Sequence, residues 1–397
     1  MRCWWGRDKK RESIMSNISY SHQHIDQADI AAVTRALRSD WLTQGPMVKE
    51  FEEALCRYTS ARYAVAVSSG TAALHIACLA AGFEKGQEVV VPANTFAASA
   101  NAVVYAGAKP VFTDIDQSTG NMDLKVIGKS FGPKTRGIIA VDFAGIPCDW
   151  QQLSSMASKR KLVVIDDASH ALGASYKAEG HWHKVGCSQH TDMTTLSFHP
   201  LKSITTGEGG AVLTNRQDLY EKLLLLRNHG IDKDSKGLVK LMVSLGFNYR
   251  IADIQCALGC NQIKKLDRLI KERLEINNFY RKSFAGNRYF DMLSWDKTVN
   301  SSHHLFPILL KNAVHRDSLI EQLRARGLGV QVHYMPVYWH PFYRQRGYKR
   351  CYAPVSEEFF RREISIPIYA GLSKKDQRFV VKVIMNACNS IIGKGVL

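Results

Sequence analysis

The chain has 397 residues, 45% hydrophobic, 22% charged and 10% aromatic, a globular composition sufficient for one large domain and a smaller one. With 28 glycines, 11 prolines and no apolar run near 18 residues, it is neither collagen-like, nor low-complexity, nor a chain with a spanning helix. Fifty-three basic against 36 acidic residues give a formal charge of +17, a balance that favours anionic partners such as nucleic acid, a membrane surface or phosphorylated metabolites. A basic but merely solvated surface is the alternative, and no dense basic stripe or nucleic-acid motif argues against it.

Residues 1–24 read as an N-terminal extension. Its first 14 residues carry Arg2, Arg7, Lys9, Lys10 and Arg11 against Asp8 and Glu12, lack the apolar core of a secretory signal, and precede a candidate internal start at Met15. The nine cysteines are odd in number, scattered and without a CxxC pair, which suits free thiols in a reducing cytoplasm. From Asp26, a capping residue followed by Ile30, Val33 and Leu37 at three- and four-residue spacing predicts an amphipathic helix.

Seven β-rich runs then alternate with helical stretches: YAVAV (63–67), EVVVP (88–92), PVFTDID (110–116), GIIAVDF (137–143), LVVIDDA (162–168), TTLSF (194–198) and GAVLT (210–214). Apolar strands separated by helices predict a mostly parallel sheet covered on both faces. Ile263, Leu266, Ile270 and Leu274 mark one face of a long helix, after which shorter strands and helices predict a small α+β domain. The expected division is a large domain over 25–265 and a small C-terminal domain over 266–397.

Three segments carry chemistry. Val67-Ser68-Ser69-Gly70-Thr71-Ala72 lies where a strand gives way to a helix, and exposed amides at a helix N-terminus form a phosphate site; a plain capped turn is the alternative. Asp166 and Asp167 end a hydrophobic strand, where ligands bind in open α/β sheets, and a buried carboxylate there needs a cationic partner; one helix cap beside one surface carboxylate is the alternative. Lys202 sits in a polar, glycine-rich loop after a strand and can form a Schiff base if its pKa is lowered, although a lone lysine is more often a surface residue. The following GEGG run leads into a strand rather than a helix, so it is not a dinucleotide fingerprint.

A phosphate cradle, a carboxylate for a ring nitrogen and a Schiff-base lysine are together what pyridoxal phosphate requires. In the same order, WLTQGP (41–46), SSGTAALH (68–75), PANTFAASANAV (92–103), DDASHALGA (166–174), SFHPLKSITTGEGGAV (197–212), RNHGI (227–231), GFNYRIADIQCALG (246–259) and VHYMPVY (332–338) span most of the chain. On these motifs the sequence resembles the DegT-type nucleotide-sugar aminotransferases, a fold-type-I family dependent on pyridoxal phosphate.

The resemblance implies an α/β large domain with a mostly parallel seven-stranded sheet, a small α+β domain and a homodimer with shared active sites. It implies that Lys202 holds the cofactor and moves the proton, that Asp167 pairs with the pyridinium nitrogen, and that His170 lies near the phenolic oxygen. Phe96 matches the aromatic that stacks on the ring. Gly70, Thr71, Ala72 and Ser197 match the phosphate-binding groups, and Asn248 the asparagine that reaches the phosphate from the neighbouring subunit. Arg250, His333 and Tyr334 fall in motifs lining the substrate side, and His22 departs from the arginine usual at its place. LRSDWLTQGP (37–46) and HPFY (340–343) further resemble the members that aminate C4 of a UDP-linked 4-keto-6-deoxy-N-acetylhexosamine in pseudaminic acid synthesis, with glutamate as donor.

The same resemblance leaves alternatives: an aminotransferase for another keto-sugar, or a non-catalytic regulatory protein of the same fold. Dehydratases of the superfamily carry histidine where Lys202 stands. No metal is expected: His181, His183, Cys187 and His190 match no standard zinc spacing, and Cys256 and Cys260, one helical turn apart, read as packing. No nucleic-acid or membrane partner is expected either.

Overall fold

The computed structural model describes residues 17–234, 237–348 and 351–391. Of the extension expected over 1–24, residues 1–16, with the candidate start at Met15, lie outside the described residues. From Ile18 onward the chain is tied down, with Ile18 bridging Leu328 and buried in the C-terminal core.

All seven expected runs form strands of one sheet. Their spatial order is Tyr63–Val67, Gly210–Thr214, Met193–Ser197, Val163–Asp167, Thr135–Val141, Glu88–Pro92 and Lys109–Thr113. Gly210–Thr214 runs antiparallel to both neighbours, and the other pairings are parallel. Because side chains alternate along a strand, Ile138, Ala140 and Val164 join one core while Ile139, Ile165 and Val91 join the other. Helices Pro46–Thr59 and Trp150–Ser158 cover the first face through Phe51, Leu55, Trp150 and Leu153. Helices Gly70–Ala80, Ala97–Tyr105 and Gln217–Arg227 cover the second through Leu74, Val103 and Leu223. With both faces covered, near-continuous apolar strands are what the sheet requires.

A third core forms around the antiparallel strands Phe290–Met292, Phe306–Leu310 and Glu363–Ile366, with helix Lys374–Ile391 packed on it.

Two helix expectations need correction. Helix Gln27–Leu37 starts at Asp26 as expected, and Asp26 and Asp29 cap each other's amides. Its buried face, however, is Asp29, Ala32 and Ala36, while Ile30 and Leu37 are exposed. Asp29 is drawn inward because Lys265, Asn261 and Gln262 all donate to its carboxylate. The long helix expected across 263–274 is two, Asp253–Lys264 and Leu266–Ser283, divided at Lys265. The second buries Leu266, Leu269, Arg273, Ile276 and Tyr280 and exposes Leu274. A buried arginine hid that face from an apolar count; Arg273 donates to the carbonyls of His304 and Ile368.

Candidate active site

The carboxyl ends of the parallel strands open into a cavity of about 380 Å³. This is where open α/β sheets place ligands. Gly70, Thr71, Phe96, Asp167, His170, Ser197, Lys202, His333 and Tyr334, all singled out from the sequence, line it together. A larger cavity of about 470 Å³, near Trp150 and Trp295, gathers none of them.

Lys202 is held by the loop that follows strand Met193–Ser197. Thr205 Oγ1 donates to the Phe198 carbonyl at 3.0 Å and accepts the Gly207 amide at 2.9 Å, while Thr206 Oγ1 donates to the Glu208 carbonyl. Gly207 has φ +82°, a left-handed conformation that glycine adopts freely. The Thr-Thr-Gly run thus knots the loop and aims the lysine inward. Burial pushes the Lys202 amine down to about 8, against the pull of the Asp167 carboxylate.

Asp167 is buried at its strand's end, and both carboxylate oxygens are fixed. Ser99 Oγ donates to Oδ2 at 2.7 Å, and Ser169 Oγ donates to Oδ1 at 2.6 Å. Strand alternation sends the adjacent Asp166 to the opposite face, where Oδ1 is buried without a hydrogen bond and burial drives its pKa well upward. Of the two carboxylates in the sequence, only Asp167 enters the cavity.

Helix Gly70–Ala80 points its N-terminus at the same space. Ser69 caps it by accepting the Ala72 amide at 3.1 Å, so Ala72 is buried and its N–H is already engaged. A side chain at Gly70 would meet Ser197 Cβ at 2.8 Å, which makes glycine obligatory where helix and strand converge. The first-turn amides and their positive end of the helix dipole suit an anion.

His170 is buried, with Nε2 3.3 Å from the Tyr334 hydroxyl. Burial, then the nearby charge of Lys202, holds its imidazole well below the usual range and therefore neutral. Phe96 is 60% exposed and stands 6.1 Å, centroid to centroid, from Tyr334. Tyr334 is anchored by Asn94 Oδ1, which accepts its amide at 2.9 Å.

Asn248 and Arg250 are not brought into this cavity of their own chain. Arg250 lines a separate space of about 250 Å³ and donates to Asn228 Oδ1, while Asn248 pairs with Asn228 through the backbone. His190, one of the candidate zinc ligands, bonds the Tyr176 hydroxyl at 3.0 Å, and His181 is exposed in the strand His181–Lys184.

Sequence reasoning missed His304, Tyr20 and Ser99. His304 lines the cavity and packs 4.3 Å from His170, ring to ring. Ser99 follows Phe96 by three residues, one helical turn inside the motif already noted, and that spacing was the available signal.

A lysine and an aspartate facing one cavity at the carboxyl edge of a seven-stranded sheet of this order define a fold-type-I transferase. The chain belongs to the DegT/DnrJ/EryC1/StrS aminotransferase family, whose model matches residues 23–385. It is 44% identical over 372 residues to the UDP-4-amino-4,6-dideoxy-N-acetyl-beta-L-altrosamine transaminase of Campylobacter jejuni, covering 91% of this chain and 95% of that protein. Its fold matches Helicobacter pylori PseC, an aminotransferase involved in pseudaminic acid biosynthesis, with a TM-score of 0.89, 33% identity and coverage of 94% and 100%. It also matches the Streptococcus pneumoniae protein Spr1654 in its PLP form, with a TM-score of 0.88, 30% identity and coverage of 94% and 99%. No described helix is long and apolar enough to cross a membrane.

Proposed function

We propose that the chain is a pyridoxal-phosphate-dependent aminotransferase that carries an amino group from glutamate to C4 of a UDP-linked 4-keto-6-deoxy-N-acetylhexosamine, in pseudaminic acid biosynthesis. The observation that carries this reading is the meeting of Lys202 and Asp167 in one cavity below a helix N-terminus. The 44% identity to a transaminase of that substrate class supports the choice of sugar.

The residues present fit the cofactor. Gly70, which has no room for a side chain, and Thr71 offer amides to its phosphate together with Ser197. Asp167, locked by two serine hydroxyls, offers a fixed anion to its ring nitrogen. Lys202, with a depressed pKa, offers the amine that takes its aldehyde. When bound, pyridoxal phosphate supplies a ring that withdraws electrons from the substrate carbon bearing the transferred nitrogen.

The chain does the rest. Lys202 Nζ accepts the proton from the α-carbon of glutamate and, in the second half-reaction, delivers one to C4 of the sugar. A depressed pKa keeps both forms of the amine populated near neutral pH, the free amine to accept a proton and the ammonium to deliver one. Asp167 holds opposite charge where the ring nitrogen is protonated, and the neutral His170 hydrogen-bonds without adding a cation. Phe96 and Tyr334 cover the mouth with aromatic surface and limit water.

In this reading, residues 25–265 form the large domain and the chain from 266 onward the small one. Two copies share their sites, with Asn248 and Arg250 serving the partner's cavity, and the enzyme works in the cytoplasm. The test is incubation of the purified chain with pyridoxal phosphate, glutamate and the UDP-linked keto-sugar. Equimolar 2-oxoglutarate and 4-amino sugar are expected; no 2-oxoglutarate with any keto-sugar of this type overturns the reading.

A further inference from the structure

Strand Glu363–Ile366 alternates polar and apolar residues, yet every position is buried. Ile364 and Ile366 enter the C-terminal core. Glu363 and Ser365, two residues apart, share the other face and have no solvent to satisfy them. They find His333, which lines the active-site cavity. Glu363 Oε2 accepts the His333 backbone amide at 2.6 Å, Glu363 Oε1 lies 2.6 Å from Ser365 Oγ, and Ser365 Oγ lies 2.8 Å from His333 Nδ1. A carboxyl, a hydroxyl and an imidazole thus form one chain that ends in the cavity.

The direction of the protons along that chain follows from burial. Glu363 has 0% exposure, and no basic side chain among the described residues hydrogen-bonds it. The guanidinium of Arg316, which acts on it only at longer range, is committed to the Phe360 carbonyl and Asp317. A carboxylate buried without a cation is costly, so the group keeps its proton. Burial accordingly pushes the Glu363 carboxyl up to about 8 and His333 down to about 3, which leaves both neutral near pH 7.

We propose that Glu363 and Ser365 are positioning residues that fix the tautomer of His333, so that it presents an Nε2–H donor to an oxygen of the bound nucleotide sugar. Oε1–H of Glu363 donates to Ser365 Oγ, and Ser365 O–H donates to His333 Nδ1. The ring proton therefore resides on Nε2, the nitrogen that the internal network leaves for a ligand. An ionised Glu363 would reverse both bonds, place the proton on Nδ1 and turn Nε2 into an acceptor. The substrate half of this inference rests on the function proposed above; the tautomer half does not.

The experiment is a two-dimensional proton–nitrogen spectrum of the full chain labelled with ¹⁵N-histidine, at mildly acidic pH, with His333 assigned through His333→Asn. The expected result is a single Nε2–H tautomer in the wild type and in Glu363→Gln, whose amide N–H replaces the acid O–H. Ser365→Ala breaks the chain and is expected to give mixed tautomers, with the KM for the UDP-linked keto-sugar raised about tenfold and the glutamate half-reaction little changed. A wild type in the Nδ1–H form overturns the proposal, and that spectrum decides even where a variant fails to fold. An Nε2–H spectrum from a chain that aminates no UDP-linked sugar supports the relay and removes only the substrate.

Discussion

Ser99 and Asp167 are 68 positions apart in sequence and 2.7 Å apart in space, with the serine hydroxyl donating to the carboxylate. Ser99 has no exposed surface, in the first turn of helix Ala97–Tyr105, and Asp167 closes its strand, so two covalently distant elements lock one anion. A carboxylate facing a cofactor's ring nitrogen must be held still, and Ser169 completes the task from the other oxygen.

Ser99→Ala is expected to weaken pyridoxal phosphate binding by about tenfold or more, since a hydrogen bond to a charged group contributes roughly 1.5–3 kcal/mol. Titration of the apoprotein followed by absorbance measures it. An unchanged dissociation constant would show that Asp167 needs no support from this helix.

The Lys202 amine, lowered to about 8 chiefly by burial, must be unprotonated to attack an aldehyde. At pH 7 about a tenth of it is, so the rate of cofactor capture should climb about tenfold per unit below 8 and level off above it. Stopped-flow mixing of apoprotein and cofactor across this range reads the rate directly. A profile still rising steeply past pH 9 would return the lysine to an ordinary solvated value.

At Gly70 a methyl group would meet Ser197 Cβ at 2.8 Å. Gly70→Ala is expected to destabilise the fold by about 1–3 kcal/mol and to weaken cofactor binding more than tenfold. Pairing it with Ser197→Gly should recover the melting temperature but not the affinity, because the serine hydroxyl is lost. Recovery of both would place the phosphate elsewhere.

Asn248 and Arg250 stand away from the cavity that holds Lys202 in the same chain. If they serve a partner's site, Lys202→Ala and Asn248→Ala should complement each other when unfolded together and refolded. Random pairing makes half the dimers mixed, each with one intact site, so about a quarter of the wild-type rate is expected. No recovery would mean that Asn248 acts within its own chain or not at all.

Much of this was legible in the sequence because most of the seven sheet strands are buried on both faces and read as near-continuous apolar runs. The alternation that sends Asp166 and Asp167 to opposite sides is equally local, although it was the family resemblance, not the two residues themselves, that singled out Asp167. What escaped was set by partners remote in the chain. Arg273 is buried where carbonyls at 304 and 368 receive it, and Asp29 where Asn261, Gln262 and Lys265 donate to it. His304 and the pair Glu363 and Ser365 reach the site from the C-terminal core, where no motif announces them. The runs drawn to 116 and 143 show the opposite error: Ile115 and Phe143, each beyond an aspartate, kept up an alternation past strands that end at Thr113 and Val141.

The central claim is that Lys202 carries the cofactor. Borohydride reduction of the pyridoxal-phosphate-loaded protein, followed by peptide mass spectrometry, tests it most directly. The account predicts one phosphopyridoxyl group, on Lys202, and its loss together with turnover in Lys202→Ala. Label on another lysine, or near-normal turnover in that variant, would contradict it.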